Sequence, residues 1–537
     1  MKRKLLTALL CGALMLTALA GCGQGADDQS GANGASADGE NIARDELVFV
    51  NYRDIRDLNP HLYAGEMYAQ SILYDTLVSN TSEGYVGCLA EDWMISEDGR
   101  IYTFNIRDGV NFSDGTPCDA NAILANFNAI LENRERHTWL EMMNLLVSVS
   151  APDDDTFVIE MSEPYYPMLT ELACIRPFAM ISPNCMIDGS TKDGVNGYIG
   201  TGPYVLTDFV TDEYAVFERN ENYWGEKPTI QKITVKVIPD NQTRIMALEN
   251  GEIDLIFGKN MLDADAISQY VDSDRFTVSL SDPTSTRHIV LNTTHDILGD
   301  TAVRKALQHA TNRQAISEGI FYGLEPAADT LYSPTVPYCD VDLEPYAYDT
   351  EEAARLLDEA GWVMGSDGGR SKNGQKLELD LLYNSDSVTE KTISEYLQSE
   401  YLKLGISLNI HGEEEQSYRD NMKAGNFDMV FNICWGMPYD PQSSLAAMRA
   451  PVYGDYAAQQ GLEDKAEIDQ AITDILTSTD EAERQELYDF VLTRLHEDAV
   501  YIPLTYETNK ALYTSELKGV HFGTDQYDVD FASMYFE

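Results

Sequence analysis

QKLELDLLYNSDSVTEKTISEYLQSEYLKLGISLNI, residues 375–410, decides the fold class. Gln375 to Tyr383 reads as a strand, Thr389 to Leu404 as a helix stopped by Gly405, and Ile406 to Ile410 as a second strand. A strand, a helix and a strand in immediate succession form the crossover that joins two parallel strands of one sheet. The rest of the chain interleaves strands and helices in the same way. Glu46 to Tyr52 predicts a strand and Met67 to Leu77 a helix. Arg100 to Ile106 and Thr156 to Met161 predict an antiparallel pair. Asp119 predicts the cap of a helix through Ala120, Ile123, Leu124, Phe127 and Leu131. Further helices begin at Thr301 and Thr350, the latter closed at Gly361. The expectation is an α/β architecture with several sheets and no internal repeat.

The N-terminus sets the compartment. Lys2, Arg3 and Lys4 precede an apolar run from Leu5 to Ala20, and Leu19-Ala20-Gly21-Cys22 follows. A run of about 16 apolar residues is short of the roughly 20 a spanning helix needs, so this reads as a secretory signal. Leu-Ala-Gly-Cys is similar to a bacterial lipobox, which implies lipidation at Cys22 after cleavage. Gly23 to Glu40 holds no apolar residue larger than Ala and reads as a flexible tether. The expected location is extracytoplasmic, held to the membrane by a lipid anchor.

The net charge of −52 excludes nucleic acid and an anionic lipid surface as partners. An anion pocket on such a chain must be built from a specific buried cation. A body of about 490 residues is too long for one core and predicts two or three lobes. Eight cysteines and eight histidines occur. No C-x-x-C pair appears, no histidines are spaced three or four apart, and H-E-x-x-H, G-x-S-x-G and phosphate-loop motifs are missing. A hydrolase reading has no nucleophile or metal centre to stand on here. Cys88, Cys118, Cys174, Cys185, Cys339 and Cys434 remain in the mature body, and the sequence does not pair them.

A set of motifs spread over nearly the whole body carries a resemblance. Leu58-Asn59-Pro60, Ser96-Glu97-Asp98-Gly99, the Phe104 to Gly115 stretch, Gly202-Pro203-Tyr204, Tyr223-Trp224, Gly251-Glu252-Ile253-Asp254, Val303-Arg304 and Tyr501-Ile502-Pro503-Leu504 resemble the family 5 solute-binding proteins of bacterial ABC importers. The resemblance implies two lobes that close on a ligand about hinge strands, with an extra subdomain in the first. The implied organisation is signal 1–22, tether 23–44, first lobe 45–283, second lobe 284–498 and a return to the first lobe over 499–537, with crossings near Pro283 and Ala499. It also implies an ABC permease and ATPase as partners, and no enzymatic cofactor.

Within the family, Leu58 to Tyr63, Asn133 to Glu141, Arg176-Pro177-Phe178, Arg219 to Pro228 and Trp435 to Pro441 are similar to the nickel-transporter branch. Carried over by position, the implied pocket is Tyr63, Met67, Trp139, Arg176, Trp435 and Tyr439. The residue types make sense together. A bare divalent cation wants carboxylate, thiolate or imidazole ligands, and this set offers none. It offers a guanidinium fork for a carboxylate and flat aromatic walls. The expected transported ligand is nickel, or a similar divalent metal, already wrapped by a small carboxylate-rich chelator. The branch often places a metal-binding histidine where this chain has Tyr453, a poorer ligand. Cys174 and Cys434 lie beside Arg176 and Trp435 as alternative soft ligands, although buried structural cysteine is the commoner state. The alternative reading is oligopeptide or dipeptide import. Peptide binders place an Asp three residues after the corresponding Trp to meet the peptide amino terminus; here that position is Pro438. A surface enzyme or signalling lipoprotein is the third reading.

Overall fold

The computed structural model describes residues 44–81, 84–258, 261–434, 441–523, 527 and 529–537. Cys22 and the signal and tether segments therefore lie outside the described residues, as do Trp435 and Tyr439. A 10-stranded mixed sheet runs through the described residues. Its order is Tyr204–Val210, Tyr214–Arg219, Lys232–Val237, Glu46–Asn51, Leu255–Phe257, Tyr501–Thr514, Phe276–Leu291, Met429–Cys434, Glu378–Asn384 and Ser407–Glu413. The two longest strands, Phe276–Leu291 and Tyr501–Thr514, sit in the middle and pair antiparallel. Strands from the first half of the chain flank one side, and strands from 378 to 434 flank the other. The register of the long pair shifts on both sides of Pro283↔Thr508. Proline has no N–H to give the ladder, so pairing is interrupted there.

The 375–410 crossover is present. Glu378–Asn384 runs parallel to Ser407–Glu413, in register from Glu378↔Ser407, with helix Val388–Lys403 between them. Gly405 takes φ +77, a left-handed turn that favours glycine. One expectation needs correction. Gln375 and Lys376 belong to a separate small sheet with Arg370–Lys372, and the parallel strand starts at Glu378.

Ile101–Ile106 and Thr156–Met161 pair antiparallel within a four-stranded sheet. Asp119 caps helix Ala120–Glu132 by accepting from the Ala122 N–H. The helix from Met67 ends at Leu73, a turn short of the expected Leu77. Gly200 and Gly202 explain the early stop. A Cβ at either would meet the Leu73 backbone at under 3 Å, and the Gly202 N–H donates to the Leu73 carbonyl at 3.0 Å. Three apolar clusters bear on the site. One packs Leu47, Phe49, Phe217, Ile233 and Val235 beneath the first-half strands. A second packs Ile289, Leu381, Ile393, Leu397 and Phe431 around the crossover. A third joins Phe104 and Phe157 of the four-stranded sheet, and Phe127 of helix Ala120–Glu132, to Ile472, Tyr488 and Val491 far along the chain. Cys88, Cys118, Cys185 and Cys434 are free thiols.

Candidate functional site

The loop from Leu58 to Gly65 is held from below. Asn59 Nδ2 donates to the Thr191 carbonyl at 2.8 Å, and Gln70 Nε2 donates to the Asn59 carbonyl at 3.0 Å. His61 Nδ1 meets Thr191 Oγ1 at 2.9 Å. Burial pushes its imidazole down to about 3, so it is a neutral core group. Gly65 is required by close approach: a Cβ there would lie 2.4 Å from the Asp57 carbonyl oxygen.

That anchored loop meets Arg176. The Arg176 Nε and Nη2 donate to Gln70 Oε1 at 3.1 and 2.7 Å, and Nη2 also donates to the Gly65 carbonyl at 2.6 Å. Arg176 is 7% exposed. These acceptors are neutral oxygens, which aim the fork. The Arg176 guanidinium carbon lies 5.8 Å from the centroid of the Tyr63 ring, within cation–π range.

The second wall comes from residues 134 to 145. Arg134 ties the segment down by donating to the carbonyls of Met143 and Leu146. Glu171 accepts from the backbone N–H groups of Glu141 and Met142 at 3.2 and 3.1 Å, satisfying the start of helix Glu141–Leu145. Trp139 Nε1 then donates to the Tyr63 hydroxyl at 2.6 Å, and that hydroxyl meets His137 Nδ1 at 2.6 Å. Tyr63 and Trp139 remain 39% and 44% exposed, large aromatic surface left uncovered beside a buried cation.

The structure thus brings Tyr63, Trp139 and Arg176 together. Met67 opens the helix whose Gln70, one turn on, holds Arg176. Tyr453 stands on another element, at the N-cap of helix Gly454–Ala458. Its phenol is pushed up by burial, with Arg419 pulling the other way and Asp455 adding to the rise. Asp455 is itself buried, and accepts from Asn432 Nδ2 at 2.8 Å. Cys174 is buried, and its thiol points at the Thr170 carbonyl, 3.6 Å away. Burial pushes the Cys434 thiol well above its ordinary range. Sequence reasoning missed His137 and Gln70 as members of the site. The signal for Gln70 was its place one helical turn after Met67; nothing in the sequence alone marks His137 beyond its neighbour Trp139. Among the described residues, no group of three or more His, Cys, Asp or Glu is placed to hold a metal ion.

The described residues thus combine a mixed sheet built around two long central strands with a buried guanidinium beside two exposed aromatics. The chain belongs to the bacterial extracellular solute-binding proteins, family 5, whose middle-region model matches residues 84–455. It is 41% identical over 494 residues to the nickel-binding periplasmic protein of Escherichia coli (strain K12), covering 91% of this chain and 94% of the relative. The crystal structure of NikA from Brucella suis in complex with Fe(III)-EDTA superposes with a TM-score of 0.88 at 43% identity, over 92% of this chain and 100% of that one. The dipeptide-binding protein of Escherichia coli (strain K12) is 26% identical over 506 residues, 88% of this chain and 91% of the relative. The fold is therefore the two-lobe fold of periplasmic binding proteins, and the chain is a solute-binding component of an ABC importer, not an enzyme.

Proposed function

We propose that this protein captures nickel, or a similar divalent metal, as a complex with a small carboxylate-bearing chelator outside the cytoplasmic membrane. It delivers that complex to an ABC permease powered by its ATPase. The observation that carries this reading is the Arg176 site. Its guanidinium is oriented by neutral oxygens beside exposed Tyr63 and Trp139, while no metal-ligating cluster occurs among the described residues. Such a site suits a ligand that brings its own metal-binding atoms and shows carboxylate oxygens to the protein. The 41% identical relative is named for nickel, and the 43% identical structure holds an iron–carboxylate chelate, which supports the same reading.

The pocket comprises Tyr63, Met67, Trp139 and Arg176 from a first lobe and Trp435, Tyr439 and Tyr453 from a second. The lobes are 45–283 and 284–498, with 499–537 returning to the first. The outward crossing falls near Pro283. The return falls near Ala499. Closure follows because the ligand binds the closed state better. Cys22 carries the lipid that keeps the receptor beside its permease, and replacing it by Ala should release the body from membranes. Membrane association unchanged in that variant would remove the anchor from the account.

Calorimetry tests the ligand with nickel alone, L-histidine alone, nickel with excess L-histidine, Fe(III)–EDTA, and a panel of di- to pentapeptides. The complexes should bind tightly, free nickel weakly, and peptides not at all. Small-angle scattering should show compaction only with the complexes. Peptide binding at micromolar affinity without chelate binding would hand the function to peptide import, the activity named for the 26% identical relative.

A further inference from the structure

The hydroxyl of Tyr63 is shared by two ring nitrogens, and the question is where its own proton points. Trp139 Nε1, 2.6 Å away, is a donor only, so it occupies one of the two lone pairs of Tyr63. His137 Nδ1, also at 2.6 Å, either accepts the phenol proton or donates to the second lone pair. Burial, with Arg136 beside it, pushes the His137 imidazole down to about 4, so at neutral pH the ring carries one N–H.

The other ring nitrogen decides which one. His137 is fully buried, and its Nε2 has no hydrogen-bond partner among the described residues. A buried N–H with nothing to donate to forfeits a whole hydrogen bond, and orphaned N–H groups are rarer in folded proteins than unfilled acceptors. The proton therefore belongs on Nδ1, where it has an acceptor at 2.6 Å. Both lone pairs of Tyr63 are then filled by N–H donors. Its own O–H turns away from His137 and Trp139, on a residue that is 39% exposed.

We propose that His137 is a positioning residue which, through its Nδ1–H, fixes the Tyr63 hydroxyl as a hydrogen-bond donor to an anionic oxygen of the ligand. The opposite tautomer would leave Tyr63 showing a lone pair to the cleft, which suits an ammonium. With Arg176 on the same wall, 5.8 Å from the Tyr63 ring, two donors converge on one anion. The inference rests on the chelate reading for its ligand, but the tautomer does not.

Solid-state 15N NMR of full-length protein labelled with [15Nδ1]-histidine reads the tautomer at pH 7 without ligand, the His137 signal being assigned by its loss in His137→Gln. A pyrrole-type Nδ1 shift is expected, and a pyridine-type shift overturns the proposal. Neutron diffraction answers the same question without a variant: deuterium on Nδ1 supports it and deuterium on Nε2 ends it. Binding of nickel with excess L-histidine supplies the second readout. Tyr63→Phe should weaken it roughly 10-fold, the scale of one hydrogen bond to a charged group. His137→Leu should weaken it to a similar extent, and His137→Gln, which keeps an N–H donor, should recover most of the loss. In the Tyr63→Phe background His137→Leu should add less than about twofold, because the two residues act as one unit. Fully additive losses would show that His137 does not act through Tyr63. If wild-type protein bound neither nickel–histidine nor Fe(III)–EDTA, the chelate reading would fall, and the Nδ1 shift would still decide this one.

Discussion

Arg176 and Arg484 invite comparison, because the protein builds nearly the same nest around each. Both guanidiniums are buried, both donate to a glutamine amide oxygen, both donate to backbone carbonyls, and both lie against a tyrosine face. Arg484 Nη2 donates to Gln442 Oε1 at 3.0 Å, and its Nη1 donates to the Ile475 and Ser478 carbonyls. Its guanidinium carbon lies 3.5 Å from the centroid of Tyr166, with Tyr338 and Tyr488 stacked 4.8 Å apart alongside. The difference is in what finishes the nest. Around Arg484 the protein finishes it: Tyr166 and Tyr338 each donate to a different oxygen of Glu481 at 2.5 Å, and nothing of the arginine reaches solvent. Around Arg176 the aromatics stay exposed and the named acceptors are neutral. A guanidinium completed by its own fold holds the structure together. One oriented beside exposed aromatic walls is where the proposed ligand would bind.

The largest expected effect breaks the completed nest. Arg484→Ala removes a fully buried donor from Gln442 Oε1 and two carbonyls, and the group packed on Tyr166, a loss of about 3 kcal/mol or more of stability. Urea unfolding should show it, and stability within 1 kcal/mol of wild type would deny the nest its structural role. The same truncation at the open site should act on binding. Arg176→Ala should lower affinity for nickel with excess histidine by roughly 30-fold or more, on the scale of about 2–5 kcal/mol for one partner of a charge-assisted pair. Arg176→Lys should rescue it poorly, because a point charge does not reproduce the fork. If Arg176→Ala instead cost as much stability as Arg484→Ala and left affinity intact, the two nests would be the same kind of object.

The two nests were not equally legible in the sequence. The crossover at 375–410 was readable because its signals are short-range: strand period, helix, stopping glycine. The end of the helix at Leu73 was not, because Gly200 and Gly202, remote in sequence, set it. Tyr63, Met67, Trp139 and Arg176 came from resemblance, residue by residue. Gln70 and His137 did not, because their roles exist only through contacts 106 and 74 residues apart in sequence. The Arg484 nest was invisible for the same reason, its Tyr166 lying 315 residues from Glu481. Polar partnerships at such separations leave no periodic trace.

A third test uses pH, through buried imidazoles, one of them in the Arg176 region. Burial holds His61 down to about 3, and His137 and His288 down to about 4. Each folded-state value lies below the unfolded one, so each group's contribution is fully present above about pH 6.5. Between there and pH 4 the unfolded chain binds protons that the folded one refuses, and stability falls as pH falls. Each imidazole should contribute of order 2 kcal/mol to that slope. His137→Gln should flatten it, measured by urea unfolding across pH 4–7, and an unaltered slope would place the His137 imidazole in contact with water.

The smallest effect sharpens the comparison most. Tyr166 comes from the segment before Pro283, whereas Tyr338, Glu481 and Arg484 come from the segment after it, so their contact bridges the two proposed lobes. Tyr166→Phe keeps the ring over Arg484 and removes only the hydroxyl shared by Glu481 and Tyr338. One hydrogen bond of that kind is worth about 1 kcal/mol. Glu481 also responds. Burial alone would raise its carboxyl, but hydrogen bonds from Tyr166 and Tyr338 and the charge of Arg484 hold it below the ordinary range. A carboxyl held low contributes stability above its unfolded value, and loses it as pH falls through the folded one. Without the Tyr166 hydroxyl, the Glu481 value should move up, which a 13C titration of labelled glutamate would read. If the contact forms only on closure, Tyr166→Phe should weaken chelate binding about fivefold, since a ligand's affinity falls by whatever the closed state loses. Scattering with ligand should then show less compaction at the same concentration. If affinity and scattering both stay at wild-type values while stability drops, the Arg484 nest persists in the open and closed forms alike, and the hinge must swing about it rather than close upon it.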